Sequence, residues 1–153
     1  MSTTQAPAPT IRNAGTKPVN SRKLFVNVAV SNLQGSIEFF ETLGFTFNAQ
    51  FTDATATCML VGEDAYFMLL TPEKFASFSK QPPSNPRKYT NALFSFSVGS
   101  REQVDALVNK AIEAGGSQAG EPEDHGFMYE WSFYDLDGYA WGVFWMEPSF
   151  VQG

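Results

Sequence analysis

From Lys23 onward, apolar runs and polar breaks follow one another in an order that predicts its own elements. Residues 24–30 are rich in Phe and Val and read as a buried strand that stops at Ser31-Asn32. Asn32 suits a helix N-cap, because its side-chain oxygen can accept an otherwise unpaired backbone N–H. Leu33, Ile37, Phe40 and Leu43 then recur at helical spacing as far as Gly44, the residue type that ends helices. Three strand-like runs follow at 45–51, 55–61 and 65–70, and the short turns between them imply antiparallel hairpins. Residues 72–80 predict a helical turn, and 81–88 (QPPSNPRK) carry three prolines that a central strand cannot hold.

The second half repeats the first. A strand is expected over 91–98. Ser100 with Gln103 has capping-box spacing, and Val104, Leu107, Val108 and Ile112 mark a helix face that stops at Gly115-Gly116. A weak edge strand at 116–120, a strand at 127–134, a turn at 135–138 and a strand at 139–146 complete the half. Strand end Val30 matches Val98 and cap Asn32 matches Ser100 at one common offset, so each half reads βαβββ. The expected fold class is α+β, two βαβββ modules forming a curled mixed sheet around a cleft, with the helices outside. Residues 23–148 form one domain: module one 23–80, linker 81–90 and module two 91–148. Residues 1–22 mix Pro, Ala, Thr, Ser and Asn without a hydrophobic period and predict a disordered arm, and 149–153 form a tail.

Composition narrows the function. A chain of 153 residues with 43% hydrophobic and 17% charged residues can bury a real core and is not a disordered or fibrous protein. The net charge of -6 repels phosphate backbones, so no nucleic acid partner is expected. Cys58 is the only cysteine, which rules out an internal disulfide and suits a reducing compartment. No apolar run approaches the ~20 residues that cross a bilayer, and the first residues lack the apolar core of a secretion signal, so the expected setting is the cytoplasm, without a membrane partner. Aromatics reach 15%, more than the core of such a domain needs, and some are expected to line a cavity.

Residues 25–47 (FVNVAVSNLQGSIEFFETLGFTF) and 132–148 (SFYDLDGYAWGVFWMEP) carry a specific likeness. Strand, cap, aromatic helix, LGF and a late D-x-D-G turn occur in an order that resembles the vicinal oxygen chelate superfamily of glyoxalase I, bleomycin-resistance proteins and extradiol dioxygenases. It is similar in particular to the small bacterial proteins called predicted lactoylglutathione lyases. The resemblance implies a divalent metal held by four side chains, one from the first and one from the last strand of each module. Those positions here are Phe25, Met68, Leu93 and Gly142, where relatives often have Glu at the last. None supplies a hard donor, so no metal and no cofactor are expected there.

Other chemistry-bearing residues read as structural. His125, the sole histidine, sits in an acidic loop where a hydrogen bond to a carboxylate is expected, and Glu123, Asp124 and His125 read as a solvated loop because adjacent loop residues rarely converge on one ion. Asp135 and Asp137 suit a turn, and Cys58 a buried thiol. With a four-residue turn at 135–138, Tyr134 would face Tyr139 and Trp131 would face Gly142, which puts Tyr129, Trp131 and Phe133 on the Gly142 face. Such rings either fill core or line a pocket. The family geometry and the missing side chain at Gly142 favour a pocket, walled by Phe25, Asn27, Met68, Leu93, Tyr129, Trp131, Phe133 and Gly142. The expected function is metal-independent binding of a small aromatic or amphipathic molecule, including a cationic one, by a homodimer. The alternative is a glyoxalase-, dioxygenase- or isomerase-type enzyme with relocated catalytic groups, and whether any reaction is catalysed stays open.

Overall fold

A computed structural model describes residues 6–150, so the outermost parts of the expected arm 1–22 and tail 149–153 lie outside the described residues. Residues 6–23 are exposed and carry no helix or strand. Module one then runs β1 (Leu24–Ala29), α1 (Leu33–Thr42), β2 (Thr46–Asn48), β3 (Ala56–Gly62), β4 (Ala65–Leu70) and α2 (Pro72–Phe78). Module two runs β5 (Phe94–Ser97), α3 (Arg101–Glu113), β6 (Ser117–Gln118), β7 (Glu123–Asp124), β8 (Met128–Tyr134) and β9 (Ala140–Met146).

The repeat survives in topology. Sheet one has the order β1-β4-β3-β2 and sheet two β5-β9-β8-β6, with first and last strands parallel in both. The caps form as read from the sequence: Asn32 Oδ1 accepts from Gly35 N at 2.9 Å, and Ser100 Oγ accepts from Gln103 N at 3.1 Å. Each contributes about 1 kcal/mol. The Gln103 side chain reaches back to the N–H of Gly99 at 2.7 Å, which closes the box one residue earlier than the usual pattern.

Apolar periodicity places one face of each sheet against a common core. Phe39 and Phe40 of α1 meet Phe133 and Trp141 of sheet two at 6.2 and 5.3 Å between ring centroids, and Phe67 of sheet one meets Trp141 at 4.7 Å. Val104, Val108 and Ala111 of α3 are fully buried in the same cluster. Because α1 of module one packs on the sheet of module two, the two modules share one core, while α2 packs beside Asn27 and Leu70 on the opposite face of sheet one.

Three expectations are corrected. Strand β2 stops at Asn48, where a 3-10 helix (Ala49–Phe51) begins, because Asn48 Oδ1 accepts from Gln50 N and Thr52 Oγ donates to the Asn48 carbonyl, which offers the backbone an alternative to the ladder. Strand β5 starts at Phe94 rather than 91, since Asn91 is drawn into the connector by Ser84. Strand β7 was not expected, because two acidic residues show no apolar alternation.

Candidate functional site

The β8–β9 hairpin decides which residues face the open side of sheet two. Ser132, not Trp131, lies opposite Gly142, and Tyr134 lies opposite Ala140. The loop is therefore five residues long, one more than expected, and a shift of one residue turns every side chain to the other face. Its cause is Asp135. Its Oδ1 accepts the N–H groups of Asp137, Gly138 and Tyr139, each at 3.0 Å, and its Oδ2 accepts the indole N–H of Trp141 at 2.9 Å. Burial pushes this carboxyl up to about 6, against the opposing pull of the donors from Trp141, Tyr139 and Asp137. The same loop binds module one: Ser31 N donates to Asp137 Oδ1 at 2.9 Å, and the Tyr139 hydroxyl donates to the Ala29 carbonyl at 2.8 Å. Asp135 and Asp137 thus have the structural roles read for them.

The observed register corrects the proposed pocket wall. Phe133 is fully buried in the core beside Phe39. Tyr129 points to α3, where its hydroxyl donates to Asp105 at 2.6 Å and is pushed up to about 12 by that bond. Neither faces Gly142. What does face it are small and acidic side chains: a Cβ at Gly142 would lie 2.8 Å from Ser95 Oγ and 3.6 Å from Ser132 Oγ. Around this position opens a cavity of about 310 Å³, bounded by Leu93, Ser95, Ser132 and three glutamates, 121, 123 and 130. Trp131 borders it with its indole Nε1 tied to the Gly120 carbonyl at 2.8 Å. Three carboxylates give this cavity a negative field that favours cations.

The module-one candidates lie elsewhere. Phe25 is 48% exposed and stacks on Tyr66, with centroids 4.7 Å apart and planes inclined by 14°. Met68 lies between Asn27 and Cys58 in the sheet, and Asn27 lines a second cavity of about 280 Å³ under the proline-rich connector. The two cavities share Ala140, yet Phe25 and Met68 border neither. Asn27 pairs with Met68 as Ser95 pairs with Gly142, so Met68 and Gly142 hold equivalent places in the two sheets. Burial pushes the Cys58 thiol up, in line with an inert core residue.

Sequence reasoning missed one cluster. Strand β7 pairs Glu123 directly with Glu130 of β8, and His125 Nε2 lies 3.1 Å from Glu130 Oε1 and 3.4 Å from Glu123 Oε2. The hydrogen bond to a carboxylate expected for His125 is present, to Glu130, and the loop is exposed as expected, but the side chains of Glu123 and His125 come together while that of Asp124 does not. Asp124 turns to the other face, where Arg101 binds it and donates to the Gly126 carbonyl at 2.9 Å. The E-x-H spacing was the available signal, since residues two apart on a strand share a face. Its partner Glu130 could be found only through the pairing of β7.

Comparison with known proteins adds a family. The model of the Glyoxalase/Bleomycin resistance protein/Dioxygenase superfamily matches residues 24–143. Among solved structures, a hypothetical protein from S. aureus is 28% identical with a TM-score of 0.70, over 82% of this chain and 94% of its own. A glyoxalase/bleomycin resistance protein/dioxygenase family enzyme from Burkholderia phytofirmans is 19% identical with a TM-score of 0.66, over 80% of this chain and 96% of its own. TnmS3, an antibiotic binding protein from Streptomyces sp. CB03234, is 21% identical with a TM-score of 0.59, over 85% and 99%. No curated protein matches the chain.

Proposed function

The chain belongs to the glyoxalase/bleomycin resistance protein/dioxygenase superfamily, and from that premise we propose that it binds a small aromatic or amphipathic molecule, including a cationic one, without the family's usual four-ligand metal centre. The observation that carries this reading is the occupancy of the four positions: Phe25, Met68, Leu93 and Gly142 offer rings, an aliphatic chain and empty space in place of hard donors. The antibiotic-binding TnmS3 shares the fold and supports the same class of function. Burial against Phe25 and Tyr66 suits a flat apolar body, and the glutamates around Gly142 suit a positive group.

A single chain keeps these two walls apart. The binding form is accordingly a homodimer in the cytoplasm, in which the module-one face of one copy lies over the module-two cavity of the other. Exposed Phe25 and Leu93, at 48% and 74%, hold equivalent places at the start of the two modules and support such a contact, because exposed apolar side chains favour burial. Titration with planar aromatic cations and neutral polycycles, followed by tryptophan fluorescence, tests the reading. Saturable quenching by the cations is expected. Equal indifference of the wild type to every compound in the panel would remove it.

A second reading rests on a specific observation. The carboxylate of Glu130 lines the Gly142 cavity and lies 3.1 Å from the imidazole of His125, so an enzyme with relocated catalytic groups has polar groups to use. Turnover of methylglyoxal–glutathione hemithioacetal, or oxygen uptake with a catechol, would favour it over simple binding.

A further inference from the structure

We infer that Glu123, His125 and Glu130 form a binding site for a divalent first-row transition ion at the rim of the module-two cavity. The inference goes beyond the ligand-binding reading and does not depend on it. Glu123 and Glu130 are direct cross-strand partners of the β7–β8 bridge, and His125, the residue after β7, follows Glu123 by two positions and reaches both carboxylates. One atom from each lies within 4.8 Å of the others.

Two features distinguish this set from a chance acidic patch. Like charges placed directly opposite in an antiparallel ladder destabilise it, yet β7 forms its bridge at that pair, so a cation between the two carboxylates is the natural compensation. Both carboxylates also crowd the same ring nitrogen, Nε2 of His125, at 3.1 and 3.4 Å. A ring nitrogen carries at most one N–H, so Nε2 cannot give a full hydrogen bond to each carboxylate at once, whereas a metal ion can serve all three. Donors about 2.1 Å from an ion lie about 3.0 Å apart at octahedral angles and about 3.4 Å apart at tetrahedral ones, which brackets the two separations from His125 Nε2.

The backbone that carries the donors is held from behind. Arg101 binds Asp124 and the Gly126 carbonyl, and Gly126 N donates to Asp124 Oδ1 at 2.9 Å, so the β7 loop is fixed on the face away from the donors. Glu123 and Glu130 also line the 310 Å³ cavity, which leaves room for water or a ligand group at the remaining coordination positions. One imidazole and two carboxylates suit zinc, cobalt or manganese better than a soft ion. The site differs from the four strand positions of the family centre, since it uses neither the first nor the last strand of a module.

The test uses the full chain freed of any histidine tag. Cobalt(II) titration should give one equivalent per chain with visible absorption, zinc should displace it, and zinc should move the imidazole resonances of the sole histidine in the wild type. His125→Ala and Glu130→Gln, both at accessible positions, should keep the wild-type circular dichroism. Each should weaken cobalt binding at least about tenfold, because even indirect partners of a metal typically contribute 10–100-fold. Unshifted His125 resonances at millimolar zinc, or cobalt affinity unchanged in either variant, would overturn the site. The fluorescence titration with metal-free aromatic compounds reads the ligand proposal separately, so the two can fail independently.

Discussion

The two modules share a strand order and a core and differ on their open faces. Module one presents Phe25 stacked on Tyr66 beside Met68, with no carboxylate among them. Module two presents Ser95, Ser132 and Gly142, ringed by glutamates. Duplicated sequence has kept the helix-side positions, where Phe67 and Trp141 must interlock, and has let the open side diverge. Function is therefore to be sought in that divergence, and the core explains only why both faces are held still. The loop 135–139 is the joint between the halves, since it sets the register of sheet two and bonds to β1 and to the start of α1.

Breaking the joint is expected to have the largest effect. Asp135→Asn sets an amide N–H₂ or a weaker acceptor against four N–H donors in a buried site, and should cost about 2–4 kcal/mol in chemical unfolding. The same variant tests a pH dependence. Asp135 rises from its ordinary 3.8 to about 6 in the folded protein, so the native state favours the protonated form. Its stabilisation is complete below about pH 4 and is lost as pH rises through about 6, by up to about 3 kcal/mol. Unfolding measured between these limits should show that decline in the wild type and a flatter profile in Asp135→Asn.

A substitution at Gly142 sharpens the contrast between the faces. Gly142→Glu places a Cβ against Ser95 Oγ and adds a fourth carboxylate to the cavity, so a loss of about 1–3 kcal/mol is expected together with weaker binding of aromatic ligands. Thermal unfolding and the fluorescence titration report the two effects. Met68→Glu, at the equivalent place in sheet one, meets no serine hydroxyl pair and no glutamate ring, and should disturb cation binding by the module-two cavity less.

The periodicity of residues 24–44 and 91–115 made both helices, their caps and the repeat legible, because core packing and capping write themselves into local spacing. The site was less legible. Asp135 adds one residue to a turn, and that residue moved Phe133 to the core and Tyr129 to α3. No local propensity announces such a shift, since it depends on a carboxylate gathering donors up to six residues away. Strand β7 was invisible for another reason: two acidic residues pair only because β8 and Arg101 hold them.

Smaller effects bound the comparison. Trp131→Phe removes the indole bond to Gly120 and should cost roughly 1 kcal/mol in thermal unfolding, while Trp141 and Trp145 remain as fluorophores. Deleting residues 1–22 should leave the melting temperature nearly unchanged, because residues 6–22 are exposed and make no strand or helix.

Subunit complementation tests the central claim, that the divergent faces meet as one site across two copies. Phe25→Ala/Tyr66→Ala disables the module-one wall and Gly142→Glu disables the module-two cavity, so each homodimer should bind an aromatic cation weakly. Unfolded and refolded together, the two chains should form heterodimers in which one cleft combines both intact walls. The account predicts that tight binding returns in the mixture, at one site per heterodimer. Binding that stays as weak as in the separate variants, in a mixture shown to contain the heterodimer, would contradict it.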